Sequence, residues 1–198
     1  IGRAGFHLHN LFARGPRDPS LFVAEVQRHA VRFAAGALAP RVPELRYQLR
    51  RRGMHAAMLP EVLAMCAAAC EEPPASQALA AAWAMLQRRV VDLPDPALRR
   101  QAAVLTAAAH ALSGLQVHVV ALSDESARRT ARAMQQPMAA LGMNVGCVTA
   151  AMDPVAKREA YHASVVCAAY REIGNDYLRD RLMLGARRRR IHSALERV

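Results

Sequence analysis

Along the first ninety residues, apolar positions recur every three or four residues, the period of helices with one buried face. Ser20 reads as the cap of a helix through Phe22, Val26, Ala30 and Phe33, stopped by Gly36 and Pro40. A basic helix is expected from Pro43 to about Arg52. Leu59-Pro60-Glu61 opens a third, with Val62, Met65 and Ala69 on its inner face. Glu71-Glu72-Pro73-Pro74 breaks the chain, and a fourth helix follows from about Ala75 to Gln87. Residues Ile1 to Pro19 carry Gly, Arg, His and Pro without a period and read as a loose lead-in.

The pattern changes at Arg89. Val90-Val91 is a short apolar run before a turn at Asp92 to Pro96, and a helix from Ala97 to Leu112 ends at Ser113-Gly114. Val117 to Leu122 is β-branched and of buried-strand length. Ser123-Asp124 can cap a helix reaching about Leu141, where Gly142 closes it. Asn144 to Val148 reads as a strand, Pro154 to Tyr161 as a helix, Ser164 to Ala168 as a strand and Tyr170 to Leu184 as a helix. With Val90-Val91 counted first, that makes four strands. Strands alternating with helices predict an α/β fold, a parallel sheet covered on both faces. Arg187 to Arg190 begins a basic C-terminal helix. The expected division is a lead-in and helix over 1–40, a helical segment over 41–88, an α/β unit over 89–185 and the basic helix over 186–198.

Composition sharpens this picture. Hydrophobic residues make up 53% of 198, enough to bury a core, but much of that share is alanine, which favours helix and adds little volume. The net charge is +11, nearly all of it arginine, with Lys157 the only lysine. A balance this basic suits an acidic partner: anionic lipid, nucleic acid or an acidic protein face. The arginine is diffuse and the 5% of aromatics is not interleaved as a stacking platform, which argues against nucleic acid. Cys66, Cys70, Cys147 and Cys167 have neither disulfide-framework nor zinc-finger spacing and read as small buried side chains in a reducing setting. His110, His118, His162 and His192 make no ligand spacing. No charge-free run of about twenty apolar residues is present, so no membrane-spanning segment is expected. Ile1 is not a natural initiator, and the sequence is expected to begin inside a longer chain.

Several motifs from Gly114 onward resemble one family. Gly114-Leu115-Gln116-Val117-His118-Val119-Val120 is similar to the Gly-Lys-Gly-Val-His-Val-Val strand of SecA-type preprotein translocase ATPases. Asp124 and Ala127-Arg128-Arg129 match the Asp-Tyr-Leu-Ala-Arg-Arg that follows it. Leu141 to Gly146 resembles Leu-Gly-Leu-Thr-Val-Gly, and Met152, Pro154, Arg158, Ala160 and Tyr161 fall on Met-Ser-Pro-Glu-Glu-Arg-Arg-Ala-Ala-Tyr. Glu172, Gly174 and Asp176-Tyr177-Leu178-Arg179-Asp180 match Glu-Phe-Gly-Phe-Asp-Tyr-Leu-Arg-Asp, the most specific of these signals. Upstream, Leu59-Pro60-Glu61 resembles Leu-Leu-Pro-Glu-Ala. The resemblance covers about Leu45 to Leu184 and implies a RecA-like nucleotide-binding domain.

The resemblance also implies a site and shows where this chain departs from it. The family's phosphate loop, Thr-Gly-Glu-Gly-Lys-Thr, falls on Asp95-Pro96-Ala97-Leu98-Arg99-Arg100. A phosphate loop needs glycines so that its amides can wrap the phosphates. Pro96 has no amide hydrogen, Leu98 brings a β-carbon where phosphate should touch, and Arg100 replaces the hydroxyl that holds Mg²⁺. Arg99 keeps the lysine's charge, and with Arg100 it could still attract a phosphate to the helix start. The family's adenine-side glutamine falls on Ala78, with Gln77 beside it. Asp124 and Arg128, after a strand end, stand where the family couples nucleotide to translocation. Tyr177 and Leu178 are expected to dock their helix on the sheet. ATP and Mg²⁺ are thus the family's cofactors, with weak or absent binding expected here. The resemblance implies translocon and unfolded preproteins as partners and a place at the cytoplasmic face of the membrane. A catalytically dead domain that binds protein or anionic membrane, and a helicase-like nucleic-acid-binding domain, stay open as alternatives.

Overall fold

The computed structural model describes residues 18–31, 33 and 38–184. Of the lead-in expected over Ile1 to Pro19, residues 1–17 lie outside the described residues, as do the stop at Gly36 and the basic helix from Arg187 to Arg190, while Asp18 and Pro19 belong to the start of the first helix.

Helix α1 spans Pro19–Ala30, α2 Leu38–Arg52, α3 Leu59–Ala68 after a single 3-10 turn at Ala56–Met58, and α4 Ser76–Leu86. The cap of α1 is Asp18, whose carboxylate accepts from the Ser20 amide at 2.8 Å, with Pro19 in the first turn. Ser20 is therefore one position inside the helix, where its hydroxyl also donates to Asp18. Helix α2 begins five residues before the expected Pro43, because Pro40 lies in a first turn whose amides have no intrahelical acceptor. Its buried positions, Val42, Leu45 and Leu49, keep the three-to-four spacing. Phe22 of α1 stacks on Trp83 of α4, ring centroids 4.9 Å apart, and this pair ties the first helix to the fourth.

Helix α5 (Pro96–Leu112) turns through Gly114 into strand β1 (Val117–Ala121). Then come α6 (Asp124–Ala140), β2 (Val145–Val148), α7 (Pro154–Ala160), β3 (Val165–Ala169) and α8 (Tyr170–Leu184). The three strands form one parallel sheet in the order β1-β3-β2, with Val165 level with Val117 on one side and Val145 on the other. Val90 and Val91 form no strand: Val90 is fully exposed, so the expected fourth strand is absent among the described residues. Two valines between the turn ending α4 and Asp92-Leu93-Pro94-Asp95 have no neighbouring strand to pair with.

Strand β3 is buried at all five positions. Alternation along it sends Val165 and Cys167 into a core that extends from Phe22 through α2–α6, and Val166 and Ala168 into a second core with Val148, Tyr161 and Ala163. Helix α6 covers the first face through Ala127, Ala131, Met134 and Met138, while α7 and α8 cover the second. The cysteines are free. Cys66 and Cys167 are buried and Cys70 and Cys147 half-buried, and burial pushes the Cys167 thiol up to about 12. Among the described residues no helix is long and apolar enough to cross a membrane.

Gly146 is the tightest point between sheet and helix. A β-carbon there would sit 2.1 Å from the Ala160 carbonyl oxygen at the end of α7. Gly146→Ala is expected to push α7 away and cost about 2 kcal/mol, read as a drop in the chemical-denaturation midpoint. Burial also lowers the pKa of His110 (helped by Arg88) and of His118 below the ordinary value near 6.5. The unfolded chain therefore binds more protons than the folded one just below that value, so stability falls as pH drops from 7 toward 5. Thermal melts across that window are expected to shift down, and His118→Phe is expected to flatten the slope.

Candidate functional site

The chain on either side of α5 decides what the phosphate-loop position can do. Asp95 has extended backbone and caps α5, its carboxylate accepting from the Ala97 amide at 2.7 Å. Pro96 takes the first helical position, where its missing N–H costs nothing. The Arg99 amide is already spent on the Asp95 carbonyl at 3.1 Å. The Arg99 guanidinium turns back along the chain and donates to the carbonyls of Leu93, at 2.6 Å, and Pro94, at 3.1 Å. Leu98 packs half-buried against the main core. The positive end of this helix thus faces a fixed carboxylate in place of an open cradle.

Arg100 points elsewhere. It lines a cleft of about 320 Å³ with Glu71, Glu72 and Pro74 of the α3–α4 turn and Gln136 and Pro137 of α6. Asp124 and Arg128 do not line that cleft. Asp124 has a structural partner: its carboxylate accepts from the Ala150 amide at 2.9 Å, fastening the start of α6 to the loop after β2. Ser123 caps the same helix by accepting from the Ser126 amide. Arg128 is exposed one turn further on, and Arg129 pairs with Glu125 at 3.7 Å in solvent. Gln77 is exposed on α4 and Ala78 is fully buried. A glutamine not singled out in the sequence, Gln101 of α5, holds this region instead: its side-chain oxygen accepts from the Ala75 amide at the start of α4. Among the described residues no hydrogen bond or ion pair joins Asp95–Arg100, Gln77 and Asp124–Arg128 to one another, and Asp95, Arg99 and Asp124 each bond locally instead.

The strongest polar cluster lies between α7 and α8, and sequence reasoning did not assemble it. Lys157 pairs with Glu172 and, at 3.5 Å, with Asp176. The Tyr161 hydroxyl donates to the other Asp176 oxygen at 3.0 Å, and Arg179 reaches Asp176 at 3.2 Å from the solvent side. Lys157 is 8% exposed and Asp176 also 8%, so two helices share a nearly dry ion network. Burial alone would lower the lysine pKa, but the Glu172 and Asp176 carboxylates outweigh it and hold it above the ordinary value. Burial and then the Asp176 carboxylate push the Tyr161 phenol above its usual range. The expected docking of Tyr177 and Leu178 is corrected here: they are 47% and 59% exposed. Glu172, Ile173 and Asp176 follow the helical spacing toward α7 and the sheet, which turns 177 and 178 outward. The available signal was the lone lysine at 157, four residues before Tyr161 and facing acids at 172 and 176.

The SecA DEAD-like domain family matches residues 21–196. A protein translocase subunit SecA 2 from Mycolicibacterium smegmatis is 37% identical over 105 residues, 53% of this chain and 13% of that protein. A protein translocase subunit SecA 2 from Bordetella avium is 32% identical over 102 residues, 52% of this chain and 16% of that protein. A protein translocase subunit SecA from Rickettsia bellii is 50% identical over 42 residues, 21% of this chain and 5% of that protein. The matched stretches are thus a small part of these relatives' own lengths.

Removing the buried cation and removing the exposed one are expected to differ sharply. Lys157→Met leaves two carboxylates in a dry site and is expected to cost about 3–5 kcal/mol. Arg179→Met, at a 62% exposed side chain, is expected to stay within about 1 kcal/mol. Urea unfolding of both variants checks the contrast.

Proposed function

This chain belongs to the SecA DEAD-like domain family, and we propose that it serves as a SecA-like translocase subunit, or part of one, that does not hydrolyse ATP by itself. The observation that carries the second half is the start of α5. A phosphate needs free inward amides and a mobile cation at that place. Here the Asp95 carboxylate holds the Ala97 amide, Pro96 has none, and Arg99 is engaged by the Leu93 and Pro94 carbonyls. Arg100 offers a cation where Mg²⁺ would need an oxygen ligand. The residues present do not fit Mg²⁺–ATP in the family's pose, so no chemical step is assigned to it.

On this reading the chain acts at the cytoplasmic face of the membrane, with unfolded preproteins and the translocon as its partners, through binding. A second reading shares the fold and keeps no part in export: a module that holds an acidic protein or anionic lipid. It draws support from the net charge of +11 and from Arg50, Arg51 and Arg52, which crowd the last turn of α2. An electrostatic module of this kind loses affinity steeply as salt rises.

Calorimetry with Mg²⁺ and ATP on the purified chain tests the proposal. The expected result is no saturable heat, meaning a Kd weaker than about 1 mM, and no shift in melting temperature. Micromolar binding that is abolished by Arg99→Ala overturns it, because the arginine would then be serving the phosphate.

A further inference from the structure

Two clefts meet along one side of α2, and they share Arg46 and Arg50. The first, about 500 Å³, lies between α2 and the amino ends of β1 and β3, and Gln116, His162 and Ser164 contribute to its walls. The second, about 600 Å³, lies between α2 and the end of α6 and is walled by Val42, Pro43, Tyr47 and Leu141. One half of this groove is polar and basic, the other mainly apolar.

The charges in it are unbalanced. Among the described residues neither Arg46 nor Arg50 has an ion-pair partner, and no carboxylate lines either cleft. The two arginines are four residues apart on one helix, so they stand about 6 Å apart on the same face. Gly114, at φ +88°, lets the loop before β1 pass close to Arg50: a β-carbon there would lie 3.2 Å from its Nε. Gln116 spends its amide on the Tyr161 and Ala163 carbonyls, which holds the cleft's floor. The chain's own terminal stretches have the wrong sign to neutralise it. Residues 1–17 contain three arginines and no acid, and residues 185–198 contain five arginines and one glutamate.

We propose that this groove along α2 binds an extended acidic segment of a protein partner, its carboxylates on Arg46 and Arg50 and a neighbouring apolar side chain against Pro43 and Tyr47. Guanidinium forks hold carboxylates bidentately, and a concave wall reduces the water that competes for them. The mixed lining favours a peptide over nucleic acid or lipid headgroups, because those ligands would leave the apolar half unfilled. The first cleft lies at the amino ends of β1 and β3 against Ala111 at the end of α5, and neither cleft is lined by any of Asp95–Arg100, so this inference stands independently of the nucleotide reading.

Fluorescence anisotropy with a labelled peptide of alternating Glu and Leu, on the whole chain at about 50 mM salt, tests it. Saturable binding is expected. Arg46→Glu and Arg50→Glu are each expected to weaken it on the order of tenfold, and Tyr47→Ser by roughly threefold. Arg28→Glu on α1, which carries the same change of charge away from the groove, is expected to leave it unchanged. Each variant's melting curve establishes that it is folded. No binding, or binding indifferent to Arg46 and Arg50, overturns the proposal. So does equal affinity for a Glu-Ser peptide or for a single-stranded oligonucleotide, since the apolar half would then contribute nothing. A mass that doubles with concentration and reverts in Arg50→Glu overturns it in favour of a second copy of this chain.

Discussion

Strand β3 has no face turned to water, and the rest of the α/β part is arranged around that constraint. A strand buried on both faces must find hydrogen-bond partners along both edges, since an unpaired buried amide costs far more than a paired one gains. Parallel β1 and β2 supply them, in the same register at Val165. The alternating side chains then require two cores, one against α6 and one against α7 and α8. Burying each valine is worth about 2 kcal/mol. That gain is available only if the helices on both faces are in place, so the order of elements follows from five residues.

The second core is small, and an ion network closes it. Val148, Tyr161, Ala163, Val166 and Ala168 give α8 little apolar surface to pack on. Lys157, Glu172 and Asp176 hold α7 and α8 together where hydrophobic contact is short. Such a network contributes less net stability than its short distances suggest, because three ionised groups give up hydration. Its stronger effect is on geometry. The rotation of α8 that turns Asp176 onto Lys157 and Tyr161 also sends Tyr177 and Leu178 outward.

The start of α5 shows how a helix terminus can keep its place in a fold while its chemistry changes. The helix start still attracts negative charge, although Pro96 carries no amide hydrogen and the Ala97 and Arg99 amides are already taken. An aspartate of the chain now meets that need, and the Arg99 guanidinium donates to carbonyls of the loop before it. The result is a well-capped helix leading into β1. The groove along α2 is the reverse case: two cations stand together in a concavity that no carboxylate among the described residues lines.

Much of this was legible in the sequence. The three real strands, the helices between them and the cap at Ser123 follow from β-branched runs, periodic alanines and local hydrogen-bonding residues, all properties of near neighbours. The substitutions at Pro96, Leu98, Arg99 and Arg100 were equally plain, because a phosphate loop depends on residue types at fixed spacing. What the sequence could not decide was any matter of partnership over distance. Val90-Val91 has a strand's composition, but a strand exists only where another strand offers its edge. Asp176 and Tyr177 are adjacent in the chain, and which of them faces inward was settled by Lys157, nineteen residues away. Arg46 and Arg50 read as part of a basic helix until the loop at Gly114 and the end of α6 set them along two clefts. Local preference is written residue by residue. Burial, pairing and concavity belong to elements that meet only when the chain has folded.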